Sequence, residues 1–586
     1  MGLKENILPY VLYNAVSYNG KANPGSVLGK ILGENQDLRS RVPEAKKIIE
    51  ELVKEINKLG LEKQKVELEK TGFKAGGKEV EEKKLPDLPE ATEGKVIMRM
   101  APNPNGPMHI GHCRMAILND EYAKKYGGTL ILRFDDTDPK NENKIPMKEA
   151  YQWFPEDLNW LGVKFDRIER ASSRLEIYYK YFEKILGLGH AYICTCEQEK
   201  WSELVRRGGG VCPCRGNAPK DNLEKWKGMI EWKFKEGQAV GRIKTGEGRH
   251  MSGKMGQGLC PADDEKDPAV RDWVAFRTVD DPQHPLVEKK IKVWPTLDFA
   301  SAIDDFEFKV THIVRGKDLM ISEKRQRVLY DYMGWKYPAT RVYGKFMTTE
   351  NMVISKSKIN EGIKKRVYTG FDDPKLATLR TFKRRGILPE AIRNYILGLG
   401  LNESETTVDL NILFSENRKL ADPKADRYMA VIGPVEIDVS EPLKKSGLKI
   451  AEIKYHPDKK ETRKIEVSDK IFISGGDFKN LKGKDIRLID LFNVNLSKKA
   501  VYCKSQEFGF ETKKIQWVAK GRDEQGSSQT GYVKVKIVSP EGILEGVGEK
   551  DLLELKENDM IQMLRIGFGR VDHVGKDSIT IYFAHK

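Results

Sequence analysis

The sequence has no apolar run long enough to cross a bilayer. Its first residues, Met-Gly-Leu-Lys-Glu-Asn, also lack the charged, then apolar, then small-residue pattern of a secretory signal peptide. The chain has only seven cysteines, an odd number that does not suit a scaffold held by disulfides. A chain of 586 residues also needs no disulfides to stabilise its core. These absences argue against a membrane protein or a small secreted domain, and we expect a cytoplasmic protein that contacts no membrane.

The length and the charge of the chain indicate how many domains it has and what type of partner it binds. A chain of 586 residues is too long for a single hydrophobic core, which predicts about three to four domains. The 102 lysines and arginines exceed the 87 aspartates and glutamates, giving a formal net charge of +15 and a pI near 9.1. A basic balance of this size is typical of proteins with a polyanionic partner.

The first informative motif is Pro-Asn-Pro-Asn-Gly-Pro-Met-His-Ile-Gly-His, residues 102 to 112. It follows an apolar run at 96–100, typical of a strand, and precedes a helical run at 116–126. A helix that opens from such a loop presents unpaired N–H groups and a partial positive charge, which suits phosphate. His109 and His112 lie three residues apart and can donate hydrogen bonds to phosphate oxygens.

A second motif lies far along the chain, Met-Val-Ile-Ser-Lys-Ser-Lys at residues 352–358. Lys356 stands between two hydroxyl side chains and can meet the charge that develops on a leaving pyrophosphate. Either motif alone has an ordinary explanation, a surface histidine pair or a solvated loop. Their joint occurrence predicts a nucleotide-activating site.

The two motifs resemble the His-Ile-Gly-His and Lys-Met-Ser-Lys-Ser motifs of class I aminoacyl-tRNA synthetases, with Val-Ile-Ser-Lys-Ser in the second. Four further segments are similar to the glutamyl and glutaminyl enzymes, and specifically to the archaeal-type glutamyl enzymes. They are Arg133-Phe-Asp-Asp-Thr-Asp138, Trp294-Pro-Thr-Leu-Asp298-Phe-Ala, Thr311-His-Ile-Val-Arg315-Gly-Lys-Asp318 and Gly370-Phe-Asp-Asp-Pro-Lys-Leu-Ala-Thr-Leu-Arg. The resemblance covers residues 95 to 586.

The resemblance implies an activity with two steps. The α-carboxylate of glutamate attacks the α-phosphorus of ATP, with Mg²⁺ neutralising part of the phosphate charge, and the ribose of tRNA-Glu then takes the glutamyl group. We expect positioning and charge stabilisation to dominate both steps. Whether tRNA-Gln is charged as well stays open, and a monomer is expected.

The resemblance also assigns roles to residues. It implies that His109, His112 and Lys356 are catalytic, that Arg99 and Arg315 contact carboxylates, and that Asp135 meets the α-ammonium group. Leu297 belongs to the same amino-acid site, where glutaminyl and bacterial glutamyl enzymes commonly have tyrosine. The ATP-binding residues that it implies are Pro102, Asn103, Gly111, Ile354, Ser355 and Ser357. For Arg315 a structural salt bridge with Asp318 or Asp298 is the alternative.

Four cysteines form two Cys-x-Cys pairs, Cys194 with Cys196 and Cys212 with Cys214, separated by a stretch that contains three consecutive glycines. Brought together, they supply the four thiolates that structural Zn²⁺ prefers. A reduced hairpin without metal is the alternative. Four protein ligands leave no open position, so the predicted role is structural.

The chain is predicted to be multidomain. Helical periodicity predicts a helical appendage over 1–62, and the Lys/Glu-rich stretch 63–94 is predicted to be a poorly ordered linker. The resemblance implies a Rossmann-like α/β catalytic domain in two halves, 95–193 and 291–360, with an acceptor-end domain inserted at 194–290. A helical connection follows at 361–424, and its basic run at 383–385 is a hypothetical RNA contact. Alternating patterns then predict β-barrels over 425–586, which in the family read the anticodon.

Three other functions compete with this interpretation. A glutaminyl-tRNA synthetase would share the fold, but Arg315 favours a γ-carboxylate over an amide. A non-catalytic tRNA-binding scaffold has no chemical need of His109, His112 and Lys356. A smaller nucleotidyltransferase or tRNA-modifying relative would have no use for the β-rich C-terminal part.

Overall fold

The computed structural model describes residues 3–17, 20–25, 27–28, 31, 41–71, 85–207, 209–245, 268–347, 353, 355–503, 513–524 and 527–586. The chain divides into two compact units, Met1–Lys84 and Leu85–Lys586. Within the described residues, no helix combines the length and the apolar character needed to cross a membrane.

The first unit is helical, as its periodicity predicted. Its helices are α1 (Leu3–Ser17), α2 (Val42–Ile56) and α3 (Leu61–Lys70). The apolar side chains at 49, 52, 53 and 56 on α2 are buried against those of α1. Gln64 on α3 is fully buried and donates to the carbonyl of Ile56 at 2.8 Å.

The predicted linker at 63–94 differs from the structure at both of its ends. Residues 63–70 belong to α3, since ion pairs such as Lys65–Glu62 and the buried amide of Gln64 stabilise a helix in a sequence that is otherwise highly charged. Residues 85–94 belong to the second unit, where Leu88 is buried and its N–H donates to the Tyr126 hydroxyl at 3.0 Å.

The second unit begins with a parallel three-stranded sheet. Its elements are β1 (Ile97–Met100), α4 (Ile110–Lys125), β2 (Thr129–Phe134), α5 (Ala150–Trp160), β3 (Arg167–Arg170) and α6 (Leu175–Gly187). The strands lie in the order β1–β2–β3, with Ile97 opposite Thr129 and Ile131 opposite Arg167. The strand predicted at 96–100 corresponds to β1, and the helical run predicted at 116–126 corresponds to the later part of α4, which begins six residues earlier, at Ile110.

An antiparallel four-stranded sheet follows. It contains β4 (Ala191–Cys194), β5 (Val240–Ile243), β6 (Val274–Thr278) and β7 (Val293–Pro295), together with α7 (Gln198–Trp201) and α8 (Pro219–Ile230). Its core is formed by large aromatic side chains, including the fully buried Trp226 and Trp294.

The chain then forms a second parallel sheet of two strands. Helix α9 (Leu297–Glu307) leads to β8 (His312–Gly316), α10 (Met320–Met333) and β9 (Ala339–Tyr343), and β8 pairs in parallel with β9. The backbone N–H of Thr311 donates to the carbonyl of Ile97 at 2.9 Å, so the start of β8 lies beside β1. Since ligands bind at the carboxyl ends of the strands in open parallel sheets, the ends of β1, β2 and β8 are candidate positions for site residues.

Helices connect this sheet to the C-terminal part. They are α11 (Lys356–Lys364), α12 (Leu379–Arg385), α13 (Pro389–Leu399) and α14 (Leu410–Ala421), and the short strands β10 (Phe346–Met347) and β11 (Thr406–Thr407) pair in parallel.

The C-terminal part is mostly β, as predicted. One sheet of seven strands runs in the order β12 (Asp426–Tyr428), β27 (Met560–Met563), β28 (Gly567–Val574), β29 (Ser578–His585), β25 (Tyr532–Ser539), β26 (Gly542–Glu549), β13 (Ala430–Ile432). Its two edge strands are consecutive in the chain, so the sheet forms a nearly closed barrel.

The strands between β13 and β25 form smaller sheets around a second β core. They are β14 (Pro434–Asp438), β15 (Ile450–Lys454), β16 (Thr462–Glu466), β17 (Lys470–Ser474), β18 (Asp485–Leu488), β19 (Asn493–Asn495), β20 (Val501–Tyr502), β21 (Lys514–Ile515), β22 (Val518–Ala519), β23 (Gly521–Glu524) and β24 (Ser527–Thr530). Two short helices, α15 (Ser440–Ser446) and α16 (Gly475–Leu481), complete the region.

Candidate active site

The N-terminus of α4 is capped by the two histidines of the first motif. His109 is the N-cap residue, and its Nδ1 accepts a hydrogen bond from the Gly111 backbone N–H at 3.1 Å. The His112 Nδ1 accepts from the His109 backbone N–H at 3.2 Å. This reciprocal arrangement occupies one nitrogen of each ring and leaves Nε2 as the nitrogen that can donate to a ligand.

Both histidines are neutral near pH 7. Burial holds the pKa of His109 well below its usual value, with a further contribution from neighbouring His112, and burial lowers the pKa of His112 to about 4. A neutral ring whose Nδ1 accepts a hydrogen bond carries its proton on Nε2. The ring centroids lie 4.0 Å apart, so two neutral Nε2–H donors stand together at the positive end of α4.

Gly111 is required by the fold of this cap. A Cβ at this position would lie 2.9 Å from Cε1 and 3.0 Å from Nδ1 of His109. Any side chain there would therefore displace the His109 ring from the helix end. Of the predicted ATP-binding residues, Pro102 is buried, and its carbonyl oxygen accepts the backbone N–H of Asp135 at 2.9 Å. The buried Oδ1 of Asn103 has no protein partner.

A short extended segment, residues 376–379, connects the two motifs. His109 and Thr378 form an antiparallel β-bridge, and the N–H of Leu379 donates to the carbonyl of Met108 at 2.9 Å. On the second motif, Val353 forms a parallel bridge with Leu376. The structure thus brings together the backbones of two motifs that lie far apart in the sequence.

The second motif ends in a helix start. Lys356 is the first residue of α11, and Ser355 is its N-cap. The Ser355 and Ser357 hydroxyl oxygens lie 3.0 Å apart. Ile354 lies outside the described residues. This places a second helix N-terminus next to the segment 376–379 that also contacts α4.

Arg315, at the end of β8, is a buried cation without an anionic partner among the described residues. Its side chain donates to the Gln326 Oε1 from Nη1 and Nη2, each at 3.2 Å, and to the Tyr337 hydroxyl at 3.2 Å. The residue is 3% exposed, and its Nε has no protein partner. The predicted alternative is wrong, since Asp298 pairs with Arg325 at 2.6 Å and Asp318 forms no ion pair with Arg315. The site can therefore accept a carboxylate.

Two other buried arginines in this region already have carboxylate partners. Arg99, on β1, binds Asp305 through two hydrogen bonds of 2.9 and 3.2 Å. Arg133, on β2, binds Asp304 at 2.5 Å. Both aspartates come from α9, so this helix fixes the arginines at the carboxyl edge of the sheet. Part of the Arg99 guanidinium is thus taken by the protein, and its role as a substrate contact stays a prediction.

Asp135 follows β2, and its Oδ1 lies 3.3 Å from Nη1 of Arg133. Burial raises the pKa of the Asp135 carboxyl to about 6, although the positive charge of Arg133 opposes that change. A carboxylate that is poorly solvated and only weakly paired is suited to bind an ammonium group. Leu297 is the first residue of α9 and is half-buried, and its contact with the amino acid stays a prediction.

The four predicted metal ligands do come together. The Sγ atoms of Cys194, Cys196, Cys212 and Cys214 all lie within 4.8 Å of one another, and the distance from Cys194 to Cys212 is 3.6 Å. Four thiolates around Zn²⁺ at 2.3 Å in a tetrahedron are separated by roughly 3.8 Å. The donor set and its spacing therefore fit a structural zinc ion.

Two of the three residues in the basic run on α12 have partners within the protein, and an RNA contact by this run stays a prediction. Arg384 pairs with Asp372 at 2.9 Å and with Asp572 on β28 at 3.2 Å. Arg385 is buried and donates to the carbonyls of β29 at residues 583 and 584. Both arginines hold the barrel against α12. Lys383 is the one residue of the three whose side chain is exposed to solvent.

Sequence reasoning missed several residues that shape the site. Asp304, Asp305, Gln326 and Tyr337 orient its arginines, and Thr378 lies beside the histidine cap. The two aspartates follow Trp294-Pro-Thr-Leu-Asp-Phe-Ala after three intervening residues and could have been suspected as acids in a buried helix. Gln326 and Tyr337 carry no motif, because their role depends only on the position of β8.

Two family models match the chain. Residues 95–422 match the model described as "tRNA synthetases class I (E and Q), catalytic domain". Residues 425–507 match "tRNA synthetases class I (E and Q), anti-codon binding domain". The first match contains the histidine cap, the cysteine cluster, Arg315 and Lys356.

Relatives align over the full length. The glutamate–tRNA ligase of Pyrococcus furiosus is 43% identical over 608 aligned positions, covering 100% of both chains. That of Archaeoglobus fulgidus is 41% identical and covers 99% of this chain and 100% of its own. A solved glutamate tRNA ligase from Elizabethkingia meningosepticum covers 56% of this chain and 70% of its own, with 22% identity and a TM-score of 0.36, too low to support an argument.

Proposed function

The chain belongs to the glutamyl and glutaminyl class I tRNA synthetases, and from this premise we propose that it attaches glutamate to tRNA-Glu at the expense of ATP. The observation that carries the choice of glutamate is Arg315, a buried guanidinium with neutral partners only. An unpaired buried cation is costly, and a substrate carboxylate removes that cost. The amide of glutamine cannot do so.

In the first step, the α-carboxylate of glutamate attacks the α-phosphorus of ATP, and pyrophosphate leaves. His109 and His112 donate through their neutral Nε2–H groups to the phosphate oxygens, and the N-terminus of α4 adds its partial positive charge. Lys356, at the start of α11, meets the charge on pyrophosphate. ATP enters as its Mg²⁺ complex, which already carries part of the neutralising charge.

The glutamate is held by three groups in this proposal. Arg315 binds the γ-carboxylate, Asp135 binds the α-ammonium group, and Arg99 orients the α-carboxylate with the guanidinium atoms that Asp305 leaves free. Leu297 provides an apolar wall without a hydroxyl. In the second step the tRNA ribose hydroxyl attacks the carbonyl carbon of the glutamyl adenylate, and AMP leaves. Neither step needs a protein base, since the first attacking group is already a carboxylate and the ribose hydroxyl can lose its proton to the phosphate of the departing AMP.

The remaining parts bind the nucleic acid. We infer that the sheets flanking the active site form a Rossmann-like catalytic domain, that residues 194–290 bind the acceptor end, and that the C-terminal β region reads the anticodon. The cysteine cluster would hold Zn²⁺ and stabilise the acceptor-end region. The net charge of +15 favours a nucleic-acid partner, the relatives indicate tRNA-Glu, and tRNA-Gln is a second substrate to be tested. The enzyme is expected to act as a cytoplasmic monomer.

Aminoacylation with purified tRNA-Glu and tRNA-Gln, each offered glutamate and glutamine separately, tests this proposal. We expect glutamate on tRNA-Glu, and charging of tRNA-Gln with glutamate would define a broader tRNA specificity. Glutamine on tRNA-Gln alone would instead identify the glutaminyl activity. No charging in any combination would support the non-catalytic scaffold.

A further inference from the structure

Gln326, on α10, makes a contact that no motif predicted. It is 1% exposed, and its Oε1 accepts hydrogen bonds from both terminal nitrogens of Arg315, each at 3.2 Å. The same oxygen accepts from the Tyr337 hydroxyl at 2.7 Å. Gln326, together with the Tyr337 hydroxyl, therefore fixes the end of the Arg315 guanidinium.

The orientation of this amide is fixed from its other side. The Gln326 Nε2 donates to the Ser301 Oγ at 2.6 Å and, more weakly, to the Asp298 carbonyl at 3.4 Å. The Ser301 hydroxyl in turn donates to the Leu297 carbonyl at 2.7 Å. A flipped amide would turn its NH₂ group towards the donors of Arg315, so only one orientation satisfies the network.

The neutral charge of Gln326 distinguishes Arg315 from its neighbours. Arg99 and Arg133 are each neutralised by an aspartate of α9, and Arg325 by Asp298. A glutamate at 326 has almost the same size as glutamine and would neutralise Arg315 in the same way. With the amide in place, the guanidinium is positioned by hydrogen bonds but keeps its charge available.

We propose that Gln326 is a specificity-determining positioning residue: it orients Arg315 for the substrate γ-carboxylate and, being neutral, leaves that carboxylate as the anion with which Arg315 pairs. This inference rests on the proposed function. A charged partner would compete with the substrate carboxylate and repel it, whereas the amide of glutamine would meet no such repulsion. The preference for glutamate thus depends on the residue that contacts Arg315 as well as on Arg315 itself.

The test compares Gln326→Glu with the wild type in aminoacylation of tRNA-Glu, measuring kcat/KM for glutamate and for glutamine. We expect the value for glutamate to fall by about thirtyfold or more, mainly through KM, and the value for glutamine to change by less than about threefold. The ratio of the two should therefore fall at least about tenfold, while the KM for ATP stays unchanged.

Two further variants separate charge from position and from folding. Gln326→Met removes the hydrogen bonds without adding charge, so kcat/KM for glutamate should fall by about tenfold and kcat/KM for glutamine should change by less than about threefold. The glutamate-over-glutamine ratio should therefore fall, but by less than in Gln326→Glu. Gln238→Glu is the matched control, because its exposed amide oxygen accepts only the Lys235 N–H, a role that a carboxylate keeps. Its ratio should equal that of the wild type.

An unchanged ratio in Gln326→Glu, or equal ratio changes in the Glu and Met variants, would overturn the inference while the proposed function stands. If Gln326→Glu does not fold, as judged by thermal unfolding, the Met variant decides: an unchanged kcat/KM for glutamate overturns the inference, and a tenfold loss at constant ATP KM supports it. If the wild type charges no glutamate, the proposed function fails and the inference fails with it.

Discussion

Replacing Arg315 by glutamine probes the amino-acid pocket most directly. The Arg315→Gln side chain is shorter and neutral, so the γ-carboxylate of glutamate loses its partner in a site where Arg315 is 3% exposed. The amide of glutamine loses much less, since it never formed a charge-assisted pair. The substitution should therefore reduce the use of glutamate far more than the use of glutamine.

The size of the effect follows from the surroundings of Arg315. Its protein partners are the oxygens of Gln326 and Tyr337, both neutral, so the substrate carboxylate supplies the whole opposite charge. Losing one member of a buried charge pair costs about 2 to 5 kcal/mol. This range corresponds to a loss of about thirtyfold to several thousandfold in kcat/KM for glutamate.

The assay is steady-state aminoacylation of tRNA-Glu with each amino acid, and Arg385→Gln is the matched control. Arg385 is also buried and also donates to neutral oxygens, the carbonyls of residues 583 and 584, but it lies between α12 and the barrel. Its substitution should lower the thermal stability and leave the glutamate-over-glutamine ratio unchanged. A wild-type ratio in Arg315→Gln would refute the assignment of specificity to Arg315.

Four further predictions follow from the site and the charge of the chain. Lys356→Ala should slow ATP–pyrophosphate exchange by about a hundredfold or more with little change in tRNA affinity, whereas Lys365→Ala at the end of the same helix should leave the exchange rate unchanged. Equal exchange rates in Lys356→Ala and the wild type would remove Lys356 from the mechanism. Elemental analysis of freshly purified protein should find about one Zn²⁺ per chain, and this zinc should be lost in Cys194→Ser or Cys212→Ser. Finding no metal in the wild-type protein would contradict the zinc site. Burial raises the pKa of Asp135 to about 6, so its carboxyl becomes protonated below that pH and kcat/KM for glutamate should fall on acidification. Asp135→Asn should have a low kcat/KM that does not fall further at acidic pH. If the acidic decrease is the same in this variant as in the wild type, Asp135 is not its source. Affinity for tRNA should fall steeply with salt through counterion release, and a flat dependence would argue against an extended phosphate interface.

The sequence predicted the elements of the site better than their contacts. The turn from β1 to α4 could be predicted, since glycine and proline punctuate an apolar run and the histidines mark a helix start. The sequence alone could not show that residues 376–379 join His109 to Val353, because this pairing is set by the tertiary fold. Helix α3 was missed because a Lys/Glu-rich run has the composition of a linker, and only the buried Gln64 shows its packing.

Side-chain pairing was the least predictable level. Asp298 and Asp318 were the acids nearest to Arg315 in the motifs, yet Asp298 binds Arg325, and a glutamine eleven residues along the chain contacts Arg315 instead. Spacing in the sequence cannot distinguish these outcomes, because β8 and α10 approach each other only in the folded unit. The basic run at 383–385 shows the same limit, since charge alone does not separate a nucleic-acid contact from an internal ion pair.

The central claim is that this chain transfers glutamate to tRNA-Glu and rejects glutamine by charge. The most direct measurement is a competition in which wild-type protein, ATP and tRNA-Glu meet equimolar glutamate and glutamine, followed by mass spectrometry of the aminoacyl-adenosine released from the tRNA. The account predicts glutamyl-adenosine in an excess of about thirtyfold or more. Equal amounts of the two esters, a predominance of the glutaminyl ester, or uncharged tRNA would contradict it.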